Sequence, residues 1–184
     1  MLKIQSGLKK GVLKLEEYNK DYPELFKIEK PKISQRLKKI GFKNFEIENV
    51  GSTSIKGIVS KPIIDVILIV DNLKDFKENK IIKVPNEDYT IKEKNFLEGE
   101  LLIRREKASV VYCFIHVVER NSVKHINYIL FRNYMNKHLE KAKEYENLKL
   151  EIFKRCNGDR KLYVVSKEDF INRIIEKSRI EDEL

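Results

Sequence analysis

The chain has 184 residues, 41% of them hydrophobic and 36% charged, and its 38 Lys and Arg outnumber 29 Asp and Glu for a formal net charge of +9. That is the balance of a soluble globular protein of one domain, large enough to bury a substantial core. Its two cysteines, Cys113 in an apolar stretch and Cys156 near a helix end, exclude a disulfide framework and a Cys-rich zinc site and agree with a reducing cytoplasm. No run approaches the ~18 consecutive apolar residues of a membrane span. The N-terminus lacks a signal-peptide core, so a cytoplasmic protein with no membrane partner is expected. The positive excess could draw in nucleotides, RNA or other polyanions. Acids interleave with the lysines throughout, however, and no RNA-binding motif accompanies the charge.

Asp21-Tyr22-Pro23-Glu24 predicts a helix start, because Asp can cap, Pro suits the first turn and Glu completes a capping-box pattern. Leu25, Ile28, Ile33, Leu37 and Ile40 supply its apolar stripe, and Gly41 ends it. Pro31 falls inside, where a kink or a split is expected. Phe45 to Val50 then alternates as a half-buried strand does.

Gly51 and Ser52 follow, allowing a sharp turn and close approach to a ligand, while Ser52, Thr53 and Ser54 offer hydroxyls and amides to an anion. Lys56 and Lys61 lie nearby. Ile63 to Val70 is apolar except for Asp65 and reads as a buried central strand. An ionised carboxylate there is costly unless paired, and a divalent cation is the usual partner. The layout is that of a phosphate-accepting turn facing a metal-holding acid. An ordinary tight turn beside a satisfied structural acid has the same spacing.

Asp71-Asn72 can cap a short helix carrying Leu73 and Phe76. Lys83 to Gly99 is polar and reads as a connection with one short strand. Leu101 to Arg105 and Val110 to Val118 predict two antiparallel strands joined near Lys107-Ala108. With the earlier strands they point to a mixed sheet with helices packed largely on one side. Two long helices are expected over Val123 to Lys137 and Leu139 to Cys156, stopped by Asn157-Gly158. Ser166-Lys167-Glu168-Asp169 caps another, with Phe170, Ile171, Ile174 and Ile175 at helical spacing.

Gly51-Ser52-Thr53-Ser54, Lys61-Pro62-Ile63-Ile64-Asp65, His116-Val117-Val118-Glu119 and Phe131-Arg132-Asn133-Tyr134 together resemble the GrpB family, from about Tyr18 to about Ser178. The resemblance implies a single α+β domain with a nucleotidyltransferase-like mixed β-sheet, helices packed mainly on one face and a helical C-terminal part. It also implies phosphate or nucleotide binding by Gly51, Ser52, Thr53, Ser54, Lys61, Arg104, Arg132 and Lys167. Asp65 would hold Mg²⁺, and His116 or Glu119 would complete the metal shell or act as base. Alternation lets one of Arg104 and Arg105 face such a cleft. Lys167 follows Tyr163 in a Tyr-x-x-x-Lys pattern that the family shares.

The chain departs from these patterns at four places. A second metal acid is expected two residues after Asp65, where Ile67 stands. Phe114 replaces the first His of a usual His-x-His, Asn49 replaces a His before the turn, and Asn133 replaces an Asp. The leading expectation is a nucleotide- or phosphate-binding protein, extending to metal-dependent nucleotidyl transfer onto a small acceptor. The alternative is a non-catalytic binding module that has lost the paired carboxylates.

Overall fold

A computed structural model describes residues 6–39, 41–78, 88–92 and 99–182. Along the chain lie β1 (Leu8–Lys9), α1 (Tyr22–Lys39), β2 (Phe45–Val50), a 3₁₀ turn (Ser52–Ser54), β3 (Ile64–Val70) and α2 (Leu73–Glu78). β4 (Tyr89–Lys92), β5 (Glu100–Lys107), β6 (Val110–Glu119), α3 (Val123–Lys137), α4 (Leu139–Arg155), α5 (Arg160–Val165) and α6 (Glu168–Asp182) complete it. The sheet order is β2-β3-β6-β5-β4, and β1 pairs with the start of β6. β3 and β6 run parallel, and the other pairs are antiparallel.

β3 is apolar on both sides because both sides are covered. Val66, Leu68 and Val70 join a cluster with Leu25, Ile33 and Leu37 of α1 and Leu73 and Phe76 of α2. Ile67 and Ile69 pack instead with Val50 and Val118 and with Tyr128 and Ile129 of α3. The C-terminal helices build a further layer in which Phe131, Met135, Tyr145, Phe170 and Ile174 bury Ile55 and Ile58, the residues that follow the Gly-Ser turn. That contact ties the turn to α3, α4 and α6 and closes one side of the site.

The structure keeps the expected α+β mixed sheet and sharpens its pieces. α1 runs unbroken through Pro31, held by Leu25, Ile33 and Leu37 packing on both sides of the missing hydrogen bond. Ile28 is exposed and leaves the stripe, and Ile40 lies outside the described residues. Of the expected connection from 83 to 99, β4 is described, and 93–98 and 83–87 lie outside. The β5–β6 hairpin turns through Ala108 and Ser109, both at positive φ (48° and 63°), a pattern that suits the right-handed strand twist. Two elements carry weak periodicity and emerge only in three dimensions: β1, and the short α5, capped by Asp159 Oδ1 accepting from Lys161 N and Leu162 N (2.8 and 3.0 Å). Among the described residues no helix is long and apolar enough to cross a membrane.

Leu68 sits in the middle of the α1-facing core at 1% exposure, so Leu68→Ala is expected to cost about 2–5 kcal/mol. Ile28→Ala, at 45% exposure, should change stability by about 0.5 kcal/mol or less. Urea unfolding measures both, and similar midpoint shifts for the two variants would contradict this packing.

Candidate functional site

Asp65 is the second residue of β3 and lies directly across from Val50 on β2. Gly51, the next residue, has φ 70° and brings its backbone against the acid: a Cβ built there would lie 2.5 Å from Asp65 Oδ2. Glycine is required on both counts, conformation and space. The Gly-Ser turn is therefore shaped around the Asp65 carboxylate.

β6 supplies the partner. In the parallel register Asp65 sits beside Phe114 and Ile67 beside His116, so His116 shares the face of Asp65. His116 Nε2 is 3.5 Å from Asp65 Oδ1, and Nδ1 is 2.6 Å from Oε1 of Glu100 on β5. Tyr128 on α3 closes the chain, its hydroxyl donating to Glu100 (3.2 and 3.3 Å) and standing 2.9 Å from His116 Nδ1. Burial alone would push the imidazole down, but the hydrogen bonds to Asp65 and Glu100 and the charges of both raise it to about 9. Burial likewise pushes Glu100 up, and the His116 bond and charge, with Lys124 and Tyr128, bring it below the usual carboxylate range. His116 is thus a cation at neutral pH, fixed between two carboxylates.

Two lysines, Lys61 and Lys167, act on Asp65, and a third, Lys149, feels the charge of Lys167. Lys61, on the segment leading into β3, is lowered by burial and by Arg160 against the pull of Asp65. Lys167, between α5 and α6, is lowered to about 8 by burial and by Lys61, with Asp65 and Glu168 opposing. Lys149 of α4 is lowered to about 7 by burial and by Lys167, opposed by Glu146. Lys167 lies over the Tyr163 ring (4.4 Å) and Lys149 over the Tyr145 ring (4.8 Å). Tyr145 is raised to about 12 by burial, moderated by its hydrogen bond with Ser52 and reinforced by the charge of Asp65.

The helices hold the turn in place. Arg132 Nη1 donates to Glu48 Oε2 (2.7 Å) and to the Asn49 carbonyl (3.0 Å) just before the turn. One helical turn later on α3, Asn136 donates to the Ser54 carbonyl (3.0 Å) and accepts from Lys56 N (3.2 Å) just after it. On α4, Glu146 accepts from Val59 N (2.8 Å) and Lys149 donates to the Val59 carbonyl. Both amide groups of one loop residue are thus satisfied by one helix.

The expected site residues divide accordingly. Gly51, Ser52, Lys61, Asp65, His116 and Lys167 come together. Ser54 donates its hydroxyl to the Gly51 carbonyl (2.7 Å), and Thr53 is buried, so both serve the turn itself. Arg104 does share the face of Asp65 and His116, but it is two strands away across Phe114 and bound to Glu106 (2.7 Å). Arg105 points to the opposite face, towards Glu29 of α1 (3.3 Å). Arg132 is engaged with Glu48 and the backbone. Glu119 lies at the far end of β6, where its carboxylate accepts from Leu73 N (3.4 Å) at the start of α2. Asn49 falls on the opposite face to Asp65 by strand alternation, and Asn133 accepts from Arg132 Nε (3.0 Å). Glu100, Tyr128, Tyr145 and Lys149 escaped the sequence reading. The signal available was polarity at helical and strand positions that otherwise face the core, which becomes specific only once the partner is placed.

The donor set does not fit a resident metal ion. A histidine ligand must offer a free ring nitrogen, whereas both nitrogens of His116 face carboxylates, Asp65 at 3.5 Å and Glu100 at 2.6 Å. The position for a second acid, Ile67, is fully buried in an apolar cluster. Among the described residues no group of three or more His, Cys, Asp and Glu is arranged to hold a metal.

Of the three histidines, His116 is expected to titrate near 9 in proton NMR, and the resonance should vanish in His116→Gln. Because the folded value lies above the unfolded 6.5, the stability this ring contributes is full below that pH and is lost as pH rises through about 9. A ring titrating near 6.5 would contradict the paired geometry. Gly51→Ala is expected to lower stability by about 1–3 kcal/mol. Gly57→Ala, with φ 76° and nothing in reach of the new methyl, should cost less; equal urea midpoints would count against the contact with Asp65.

Comparison with known proteins places this geometry in a wider set. Over 173 residues the chain is 29% identical to the glutamate-rich protein GrpB of Alkalihalophilus pseudofirmus, covering 92% of this chain and 97% of that one. It is 28% identical to the UPF0157 protein YqkA of Bacillus subtilis, over 88% of this chain and 46% of the relative. The crystal structure of the conserved protein GrpB from Enterococcus faecalis superimposes with a TM-score of 0.80 at 23% identity, over 93% of this chain and all of that one, and so has the same fold. With the GrpB protein family pattern matching residues 12–177, the chain belongs to the GrpB family.

Proposed function

We propose that the cleft between the Gly51–Ser54 turn, β3 and the helices α4 to α6 binds a phosphorylated small molecule, with nucleotides as the leading class. The observation that carries this reading is that two partly exposed lysines, Lys61 and Lys167, act on Asp65, the acid against which the Gly51 turn closes. Like charges brought together and partly withdrawn from water repel, and an entering phosphate relieves that repulsion while replacing lost hydration. Lysines act on phosphate as point charges, and hydroxyls supply direction.

Nucleotidyl transfer to a small acceptor is the finer reading, and it calls for a pair of acids around the reacting phosphate. Asp65 is one such acid, but Ile67 occupies the second position and His116 already neutralises the first. Binding without transfer is therefore the reading adopted, with Asp65 and His116 as fixed charges in the wall of the cleft.

Calorimetric titration with ATP and CTP at pH 7, with and without Mg²⁺, tests the proposal. Binding is expected for the wild type, and Lys167→Ala should weaken it by about tenfold, the loss of one charge-assisted contact. Absence of binding at millimolar nucleotide would refute the phosphate reading. Release of pyrophosphate from either nucleotide would instead establish transfer.

A further inference from the structure

We propose that the Asp65–His116 pair is a subsite for a vicinal diol, so that the phosphorylated molecule taken by this cleft is a ribonucleotide held by the two hydroxyls of its ribose. The inference rests on the phosphate-binding reading above and adds the sugar to it. Three features of the geometry support it.

The first is the unequal engagement of the imidazole. On its inner side Nδ1 is 2.6 Å from Glu100 Oε1 and 2.9 Å from the Tyr128 hydroxyl, which also donates to Glu100. These contacts fix the plane of the ring. On its outer side Nε2 meets Asp65 Oδ1 at 3.5 Å, well beyond the ~2.8 Å of a charge-assisted hydrogen bond. The ring is held from behind and loosely paired in front.

The second is access. The side chains of Asp65 and His116 are 26% and 16% exposed, whereas that of Glu100 is 6% exposed, so the loose end of the chain of contacts is the one that a ligand can reach. Among the described residues His116 is the only ion-pair partner of Asp65. The Gly51 backbone closes on Oδ2, which leaves Oδ1 and the neighbouring Nε2 for an incoming group. A hydroxyl both donates and accepts, so one can give its proton to Asp65 while its neighbour meets Nε2, whichever protonation state the ring has. Hydroxyls on adjacent carbons are spaced to meet both atoms side by side. A single hydroxyl would have to bend its two bonds into a sharp angle.

The third is the position of the pair relative to the phosphate. Phe114 is the neighbour of Asp65 in the parallel register and shares the face of His116, and Lys61 Nζ stands 5.7 Å from the centre of its ring. The ammonium and the pair therefore lie over one face of the sheet. A ligand crossing Asp65 can place its phosphate at Lys61 and its sugar at His116.

The test is calorimetry with ATP and CTP and with their 2′-deoxy and 3′-deoxy forms, each with and without Mg²⁺, on wild type and Asp65→Ala. The wild type should bind the ribonucleotides about tenfold or more tightly than either deoxy form, because polar atoms built to meet a hydroxyl are left unpaired without it. In Asp65→Ala that preference should disappear. The preference is a ratio within one protein, so a change in stability or in overall charge acts on all the ligands alike, and the wild-type ratio decides even where the variant does not fold. Equal wild-type affinity for the ribo and deoxy forms, or an undiminished preference in Asp65→Ala, would overturn the inference and leave the phosphate-binding reading standing. Failure of every nucleotide at millimolar concentration would remove both proposals together.

Discussion

The parallel pairing of β3 with β6 is the constraint on which the rest of this molecule depends. It joins two antiparallel hairpins, β2–β3 and β5–β6, into one sheet, and its register sets His116 beside Ile67 and within reach of Asp65. A parallel pair needs a long crossover between its strands, so this contact is non-local and closes only when α1, α2 and α3 cover the two faces. A slip of one residue would turn His116 into the α1-facing core and leave Asp65 without its partner.

That register also decides what kind of site the sheet carries. A lone carboxylate at the mouth of an apolar strand demands a counter-charge. The chain supplies it as an imidazolium anchored by Glu100 and Tyr128, so the demand is met by protein side chains. Lys61 and Lys167 also act on Asp65. The same acid therefore organises Gly51 in front of it and His116 beside it, and acts on Lys61 and Lys167.

The C-terminal helices do more than enclose this arrangement. Arg132 and Asn136 hold the backbone on both sides of the Gly-Ser turn, and Glu146 and Lys149 hold Val59. Their side chains satisfy backbone groups that a loop buried under helices would otherwise leave without water. The burial of Ile55 and Ile58 explains why the loop lies there at all. Turn, loop and helices form one packed unit, and the lysines of the cleft take their positions from it.

What the sequence by itself determined follows from interactions between near neighbours in the chain. Period-two alternation marked β2, the apolar run marked β3, the expected ranges of α3 and α4 fall at nearly their observed limits, and the capping pattern at Ser166 to Asp169 marked the start of α6. The Gly-Ser turn and Asp65 were legible for the same reason, since conformation and local polarity speak directly. Tertiary structure alone decided the partners. Arg104 and Arg132 have the chemistry of phosphate ligands, yet Glu106 and Glu48 claim them. Glu100 and Lys149 gave no signal in the sequence, yet one anchors His116 and the other is buried against the turn-bearing loop. Long charged side chains choose among partners by distance in space, and those distances are fixed by the packing of segments far apart in the chain.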